Sequence, residues 1–375
     1  MFKFNPVAQM SGPLMSKWNN IVSLTYCGTD DKAPLRSRPP RIFQPNLDWH
    51  RERTGNDPEI DFHAYRQCQS SPEALYEGFS KFNRATPKPI VAQWNTAELM
   101  CRLYFAPFLS GARVLSHEES CEQVDDRKVP GWPYNQVFLT KGAAMANVEV
   151  QAYIRDCWEY PWRTYFFQSS VKIEMRLIEK ILRNALRVFL QAPLEHVVNM
   201  NRLCWHFNQL FYNTANTHWG FPGATKYRGG WHKLYTRLNR FANAFEQDQK
   251  AYDQSLTSYM LRSICELRIA FMSATDRALH ASRMRAYYAG VINSCCVLMN
   301  GDFVMKHRGM PSGCSNTIVD NTIILFQLFC YAWCVLSPDS QWNRLGVMLG
   351  HVVAALCGDD NTGTISEDVF PWFNP

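Results

Sequence analysis

The C-terminal third of the chain alternates element types in an order that few folds accommodate. Leu256, Met260, Ile264, Leu267 and Phe271 recur at helical spacing, so a helix follows AYDQS. CVLMNGDFVMKHRG sets Asn300-Gly301 between apolar residues, the strongest short-range hairpin signal. The loop GMPSGCSN then enters an apolar helix over about 316–336, and residues 351–357 read as a short buried strand opening into Gly358-Asp359-Asp360. Strand, helix, hairpin, loop, helix and strand-turn in this order predict an α+β domain. The first strand is the weakest of these elements, because FANAFEQ alternates only loosely.

At 375 residues, 46% hydrophobic and 19% charged, the chain reads as globular, with room for a sizeable core and two or three sub-domains. A net charge of +6 permits a polyanionic partner without demanding one, so any basic surface must be found locally. The thirteen cysteines include no C-x-x-C pair, and Cys330 and Cys334 lie one turn apart in an apolar run. Both read as core thiols in a reducing compartment rather than metal ligands. The N-terminus lacks the apolar region of a secretory signal. Residues 322–336, the most apolar stretch, fall short of the ~20 residues of a membrane span and contain Gln327, so a buried helix is expected. Residues 1 to about 95 are proline-rich and polar, with RSRPPRIFQPNLDW the least regular part. NVEVQAYIRDCWEYPW reads as a short helix ended by Pro161, and residues 171–190 have a period ambiguous between strand and helix.

Five stretches carry chemistry. Gly358-Asp359-Asp360 alone is ordinary turn chemistry, and Asp248 and Asp253, spaced D-x4-D before a helix, suit N-capping equally well. Together they offer hard oxygen ligands from separate elements, as two-metal phosphoryl transfer requires. In PSGCSNTIVDN, Gly313 allows a backbone conformation that a side chain would forbid, letting the loop approach a ligand closely. Thr317 and Asn321 lie one turn apart on a helix face and can hold a ribose, with Asp253 as an acceptor for its hydroxyl; an N-capped core helix is the alternative. In SVKIEMRLIEKILRNALRVF, Lys172, Arg176 and Lys180 recur every four residues, with Arg183 and Arg187 beyond. This is either a solvated helix face or a cationic channel for triphosphate. KVPGWPYNQVFLTKG joins a Pro-Gly turn to Trp132, Tyr134 and Lys141, which suits stacking on single-stranded nucleic acid as well as it suits buried aromatics.

In this order and spacing the stretches resemble the RNA-directed RNA polymerases of positive-strand RNA viruses, nearest to picornavirus-like and astrovirus-like enzymes. DQKAYDQSL corresponds to motif A, GMPSGCSNTIVDN to motif B, CGDD to motif C, KIEMRLIEKILRNALR to motif F and PGWPYN to motif G. The resemblance spans roughly residues 130–375. It implies an α+β right-hand polymerase with fingers and an antiparallel-sheet palm flanked by helices. The expected divisions are an N-terminal arm over 1–95, fingers over 96–240 and a palm over 241–375 with a fingers insertion near 273–308. Asp248, Asp359 and Asp360 would serve two Mg²⁺ ions, with Mn²⁺ as the alternative. Asp253, Ser312, Gly313, Thr317 and Asn321 would select the ribonucleotide, and Lys172, Arg176, Lys180 and Arg187 would line the nucleotide channel. Pro130, Gly131, Trp132, Pro133 and Tyr134 would touch the template.

The implied activity is transfer of NTPs to an RNA 3′ end, with template and nascent RNA as partners, other viral replication proteins beside them, no transmembrane segment and a setting in the host cytoplasm, free or at membrane-associated replication complexes. A reverse transcriptase or an inactive polymerase-like RNA-binding protein is the alternative. Fifteen residues after Asp360 cannot hold the lysine-bearing motif D, motif E and thumb of this family, so the chain is expected to be a fragment whose activity alone is in doubt.

Overall fold

A computed structural model describes residues 21–26, 43–55, 64–69, 71–298 and 301–374. Its N-terminal elements are β1 (Ile21–Tyr26), α1 (Phe43–Thr54), β2 (Tyr65–Gln67), α2 (Pro72–Ser80), α3 (Val91–Leu109), α4 (His117–Glu122), α5 (Lys141–Met145) and α6 (Val148–Glu159). The middle holds β3 (Phe166–Val171), β4 (Met175–Leu177), α7 (Ile178–Leu182), β5 (Val188–Gln191), α8 (Leu194–Asn213) and α9 (Gly230–Leu238). Then come β6 (Asn243–Asp248), α10 (Tyr252–Ser255), α11 (Ser258–Phe271), α12 (Ala274–Ile292), β7 (Cys295–Val297), β8 (Asp302–Lys306), α13 (Thr317–Leu336), α14 (Leu345–His351), β9 (Val352–Cys357) and β10 (Asp360–Ile365).

Strands β6, β10 and β9 form an antiparallel sheet in that order. The weakly patterned β6 is a genuine strand: Asn243, Phe245 and Gln247 are half-buried, while Ala244, Glu246 and Asp248 face out. One face of the strand packs, with Phe245 reaching Phe329 of α13 at 5.8 Å between ring centroids, and the other meets solvent. Asp248 therefore ends β6 on the open side.

Helix α13 is the axle of the core. It lies against α3, α11 and β9, with the Phe326 ring stacked on Tyr104 of α3 at 4.3 Å. It spans 20 residues, in line with the helix expected over about 316–336, and among the described residues it is the helix long and apolar enough to cross a membrane. Most of it is buried inside the protein, Cys330 and Cys334 included. The twelve cysteines among the described residues are all free.

A second sheet runs β1-β8-β7-β3-β5, antiparallel throughout except for the parallel pair β3–β7. It joins residues 295–306 to residues 166–191, far away in sequence. The β7–β8 hairpin is present, with Gly301 at φ +87°; Asn300 lies outside the described residues. The capped helices also follow local chemistry: Asn147 accepts from the Glu149 and Val150 amides at the start of α6, and Thr257 accepts from the Met260 amide at the start of α11.

Two expectations change. Residues 43–54, which begin inside the stretch read as least regular, form helix α1. Residues 171–190 are not one helix: β3 ends at Val171, β4 and the single turn of α7 follow, and β5 returns alongside β3. The ambiguous period arose because strand and helical turn share the segment.

Candidate active site

Pairing of β10 with both neighbours fixes the carboxylates. Asp360 lies directly opposite Asp248 on β6 and opposite Cys357 on β9, leaving Gly358 and Asp359 as a two-residue turn. Directly opposed residues of antiparallel strands have Cβ atoms roughly 4.5–5.5 Å apart, so the two motifs meet by register alone. Gly358 takes φ +68°, as the first position of such a turn favours. Its amide donates to the Thr322 hydroxyl at 2.9 Å, and that hydroxyl donates to the Ile318 carbonyl at 2.7 Å. Thr322 thus fastens the aspartate turn to α13. No sequence signal marked it, because its partner lies 36 residues away.

Burial raises the Asp359 carboxyl above its ordinary range, and the neighbouring Asp360 and Asp248 carboxylates raise it further; Arg187 opposes them. Burial likewise raises Asp253, and Asp359 adds to it, while Ser312, Asn321 and Arg187 pull the other way. Arg187 therefore acts on both carboxylates from the β5 side.

Among the described residues no three His, Cys, Asp or Glu side chains are gathered into a preformed metal cage. The donor set still fits Mg²⁺, which usually takes one or two carboxylates with substrate phosphates and waters rather than an all-protein cage. A carboxyl raised by its carboxylate neighbours, as Asp359 is, is what a divalent cation relieves.

Asp253 organises the glycine-bearing loop. Its Oδ2 accepts from the Ser312 hydroxyl and its Oδ1 from Asn321 Nδ2, each at 2.5 Å, and its carbonyl accepts from the Met310 amide at 2.7 Å. Asn321 Oδ1 is buried without a hydrogen-bond partner among the described residues. The Thr317 hydroxyl turns back onto the loop, 3.0 Å from the Pro311 carbonyl and 2.9 Å from that of Cys314. It braces the loop, while Asn321 one turn on faces Asp253. Gly313 is needed for a reason other than the one expected. Its φ is not in the left-handed region; a Cβ there would sit 2.5 Å from the Leu190 carbonyl and 2.9 Å from the Gln191 Cα. The close approach is to β5, where the Gly313 amide donates to the Leu190 carbonyl at 2.8 Å.

The basic residues do not share a helix face. Lys172 follows β3, Arg176 is in β4, Lys180 is exposed on α7 and Arg187 precedes β5. The Lys172 amide donates to the Arg187 carbonyl at 2.8 Å, so these two meet across the hairpin. Glu174 gathers three cations: Arg176 at 2.7 Å, and Lys172 and Arg187 at 3.7 Å. Its gathering role was not legible in sequence.

The proposed template contacts divide. Pro130 and Gly131 are buried, and Pro133 is half-buried, joined to Trp132 by a cis peptide. Trp132 packs edge-on against Phe166 and Phe303 at 5.4 and 5.5 Å. Tyr134 is only 3% exposed and hydrogen-bonds the Glu195 carboxyl, so its ring is a core element and not a stacking platform. In a proline-glycine turn, packed and exposed aromatics read alike.

Glu195 itself is buried, and burial pushes its carboxyl up to about 7. Because the folded pKa exceeds the unfolded one, the unfolded chain ionises first as pH rises, and stability falls between about pH 4.5 and 7 before levelling. Glu195→Gln should flatten that fall, worth on the order of 3 kcal/mol, in urea unfolding at pH 5 and pH 8. An unchanged pH dependence would remove Glu195 as its source.

Residues 48–374 match the family described as viral RNA-dependent RNA polymerase. Genome polyprotein 1 of Barley mild mosaic virus (strain Na1) is 31% identical over 201 residues, 53% of this chain and 9% of that polyprotein. Genome polyprotein 1 of Barley yellow mosaic virus (isolate Germany) is 29% identical over 312 residues, 80% of this chain and 12% of that one. The chain thus spans about a tenth of the polyproteins it matches. The structure described as Sicinivirus 3Dpol RNA dependent RNA polymerase superposes with a TM-score of 0.66 at 14% identity, covering 80% of this chain and 64% of that one. At that identity the likeness shows the fold.

Proposed function

The chain belongs to the viral RNA-dependent RNA polymerases, and from that premise we propose that it carries the site at which NTPs are added to an RNA 3′ end on an RNA template. The observation that carries this reading is the meeting of Asp248 and Asp360 by strand register beside an Asp253 bonded to Ser312 and Asn321. Asp248, Asp359 and Asp360 would hold two divalent ions, Mg²⁺ or Mn²⁺, whose chemistry is to lower the pKa of the attacking 3′-hydroxyl and to neutralise the leaving pyrophosphate.

The chain's own residues position the nucleotide. Arg187, with Lys172 and Arg176 held around Glu174, offers positive charge to the triphosphate. Asn321 Oδ1, buried and unpaired, suits donation from a ribose 2′-hydroxyl, the group that separates RNA from DNA precursors. A reverse transcriptase would gain nothing from that acceptor. The β7–β8 hairpin, paired into one sheet with β3 and β5, supports reading residues 273–308 as a fingers insertion into a palm over 241–375. Template RNA, nascent RNA and NTPs would be the partners, with other replication proteins in the host cytoplasm.

The test is RNA-primed incorporation on an RNA template in the viral protein that carries this chain, with NTPs and dNTPs compared. Asn321→Ala should lower the NTP preference in kcat/KM about three- to tenfold, the worth of one hydrogen bond. Unchanged discrimination would remove its ribose role, and absence of RNA-templated incorporation by the unsubstituted protein would sink the polymerase reading.

A further inference from the structure

The fifty positions between Glu195 and Glu246 contain no acidic residue. Within that interval α9 has no buried residue at all, although Leu234 and Leu238 turn inward and are half-buried. Beside them Trp231 and Tyr235, one turn apart, are 59% and 63% exposed, and Tyr227 just ahead of the helix is 69% exposed. Lys226, Arg228, Lys233 and Arg240 are exposed around them. A cavity of about 390 Å³ opens on the same helix, lined by Asn216, His232, Lys233, Leu234, Thr236 and Arg237.

Arg237 is the second, independent observation. Its Nη1 donates to the His218 carbonyl at 2.7 Å, but its buried Nε and Nη2 have no acceptor among the described residues. The ionisable group that acts on it is the Tyr104 phenol, and among the described residues no carboxylate does. A partly desolvated guanidinium with two unmatched donors, beside a lysine and an open cavity, is built for an anion.

We propose that this face of α9 is an RNA-contacting surface separate from the catalytic centre, with a backbone phosphate seated against Arg237 and Lys233 and adjoining bases stacked on Trp231 and Tyr235. It goes beyond the polymerase reading, because the contact is not at the reacting atoms. Leu238, at the end of α9, accepts from the Thr364 hydroxyl, four residues along β10 from Asp360. At ~3.3 Å per residue that places the helix end roughly 13 Å down the sheet from the carboxylates. The composition selects single-stranded RNA over a protein partner. Trp, Tyr and Arg suit either partner, but lysine is depleted at protein interfaces while it serves phosphate contact on RNA.

The test is photo-crosslinking of the full chain to a 4-thiouridine-containing oligoribonucleotide, with crosslinked peptides mapped, alongside binding measured at several salt concentrations. Crosslinks should fall within 226–240, and Lys233→Gln with Arg237→Gln should reduce them at least about fivefold. That pair should also lower the slope of log K against log salt by about 0.7, as one phosphate contact on a single strand requires. If the pair fails to fold, Trp231→Ala and Tyr235→Ala, at exposed positions, carry the test through the same crosslinks. Crosslinks within 172–187 but none in 226–240 would overturn the inference and leave the polymerase reading standing. Crosslinks in neither region would overturn the inference and also count against that reading. Unaltered RNA binding with a change of sedimentation in the variants would also overturn it, marking the face as a protein interface.

Discussion

Asp359→Asn should cut RNA-templated nucleotide incorporation by about a thousandfold or more while leaving the protein at least as stable as before. The two halves of this expectation have one cause. Asp359 is held at the tip of the β9–β10 turn with its carboxyl raised by burial and by the Asp360 and Asp248 carboxylates, so its charge costs folding free energy. An amide of the same shape removes that repulsion. It also removes an anionic ligand from a place where several kcal/mol of charge stabilisation are called for, each ~1.36 kcal/mol being tenfold in rate. Activity and stability therefore move in opposite directions, as expected of a strained functional site. The measurements are single-turnover incorporation and the urea midpoint, made on the viral protein that carries this chain, with Mn²⁺ affinity by electron paramagnetic resonance as a readout independent of turnover. Retained incorporation would remove Asp359 from the site. Lost activity accompanied by a lowered midpoint would show that the aspartate is structural.

What the sequence made legible was local. Each carboxylate cluster, the helix after AYDQS, the hairpin at Gly301 and the strand before Gly358 announce themselves within a dozen residues through period, turn chemistry or capping. Order along the chain then carried the family resemblance. The register that sets Asp248 opposite Asp360 was not readable, because β6 alternates too loosely to fix its own pairing. Residues that act across long separations were equally hidden: Thr322 on the Gly358 amide, Glu174 among three cations, and Gly313 against β5. Tyr134 was misplaced for a related reason, since the Glu195 that hydrogen-bonds it sits on a helix of its own. Long-range pairing is set by packing, which a single chain of letters records only where a side chain has one plausible environment.

The largest stability effect belongs to a residue that no motif reading singled out. Asp320 of α13 and Arg268 of α11 are each 1% exposed and joined through Nε at 2.8 Å and Nη2 at 2.7 Å. The other Asp320 oxygen accepts from the Tyr288 hydroxyl of α12 at 2.7 Å, and Arg268 Nη2 also donates to Asn208 Oδ1 of α8 at 2.8 Å. Asn208 in turn donates to Asn316 Oδ1 at 3.0 Å, at the foot of α13. Four helices thus share one buried charge pair. Burial pushes the Asp320 carboxyl up, and the adjacent guanidinium and Tyr288 counter it; the same carboxylate holds Arg268 charged. Removing one partner leaves the other charge buried and uncompensated, a cost of about 3–5 kcal/mol. Asp320→Ala should therefore lower unfolding free energy by that amount in urea titration. Asp320→Leu combined with Arg268→Met should lose much less than either single change, because an apolar pair of similar volume escapes the desolvation penalty. A loss below about 1 kcal/mol for Asp320→Ala would show that the core relaxes around Arg268 or admits water to it. The double variant also separates stability from placement. Asp320 immediately precedes Asn321 and Thr322, so the network sets the rotation of α13 that brings one to Asp253 and the other to Gly358. If the ion pair fixes that rotation, the double variant will fold yet discriminate NTP from dNTP less well. If discrimination is unchanged, apolar packing against α3 is enough to orient the helix.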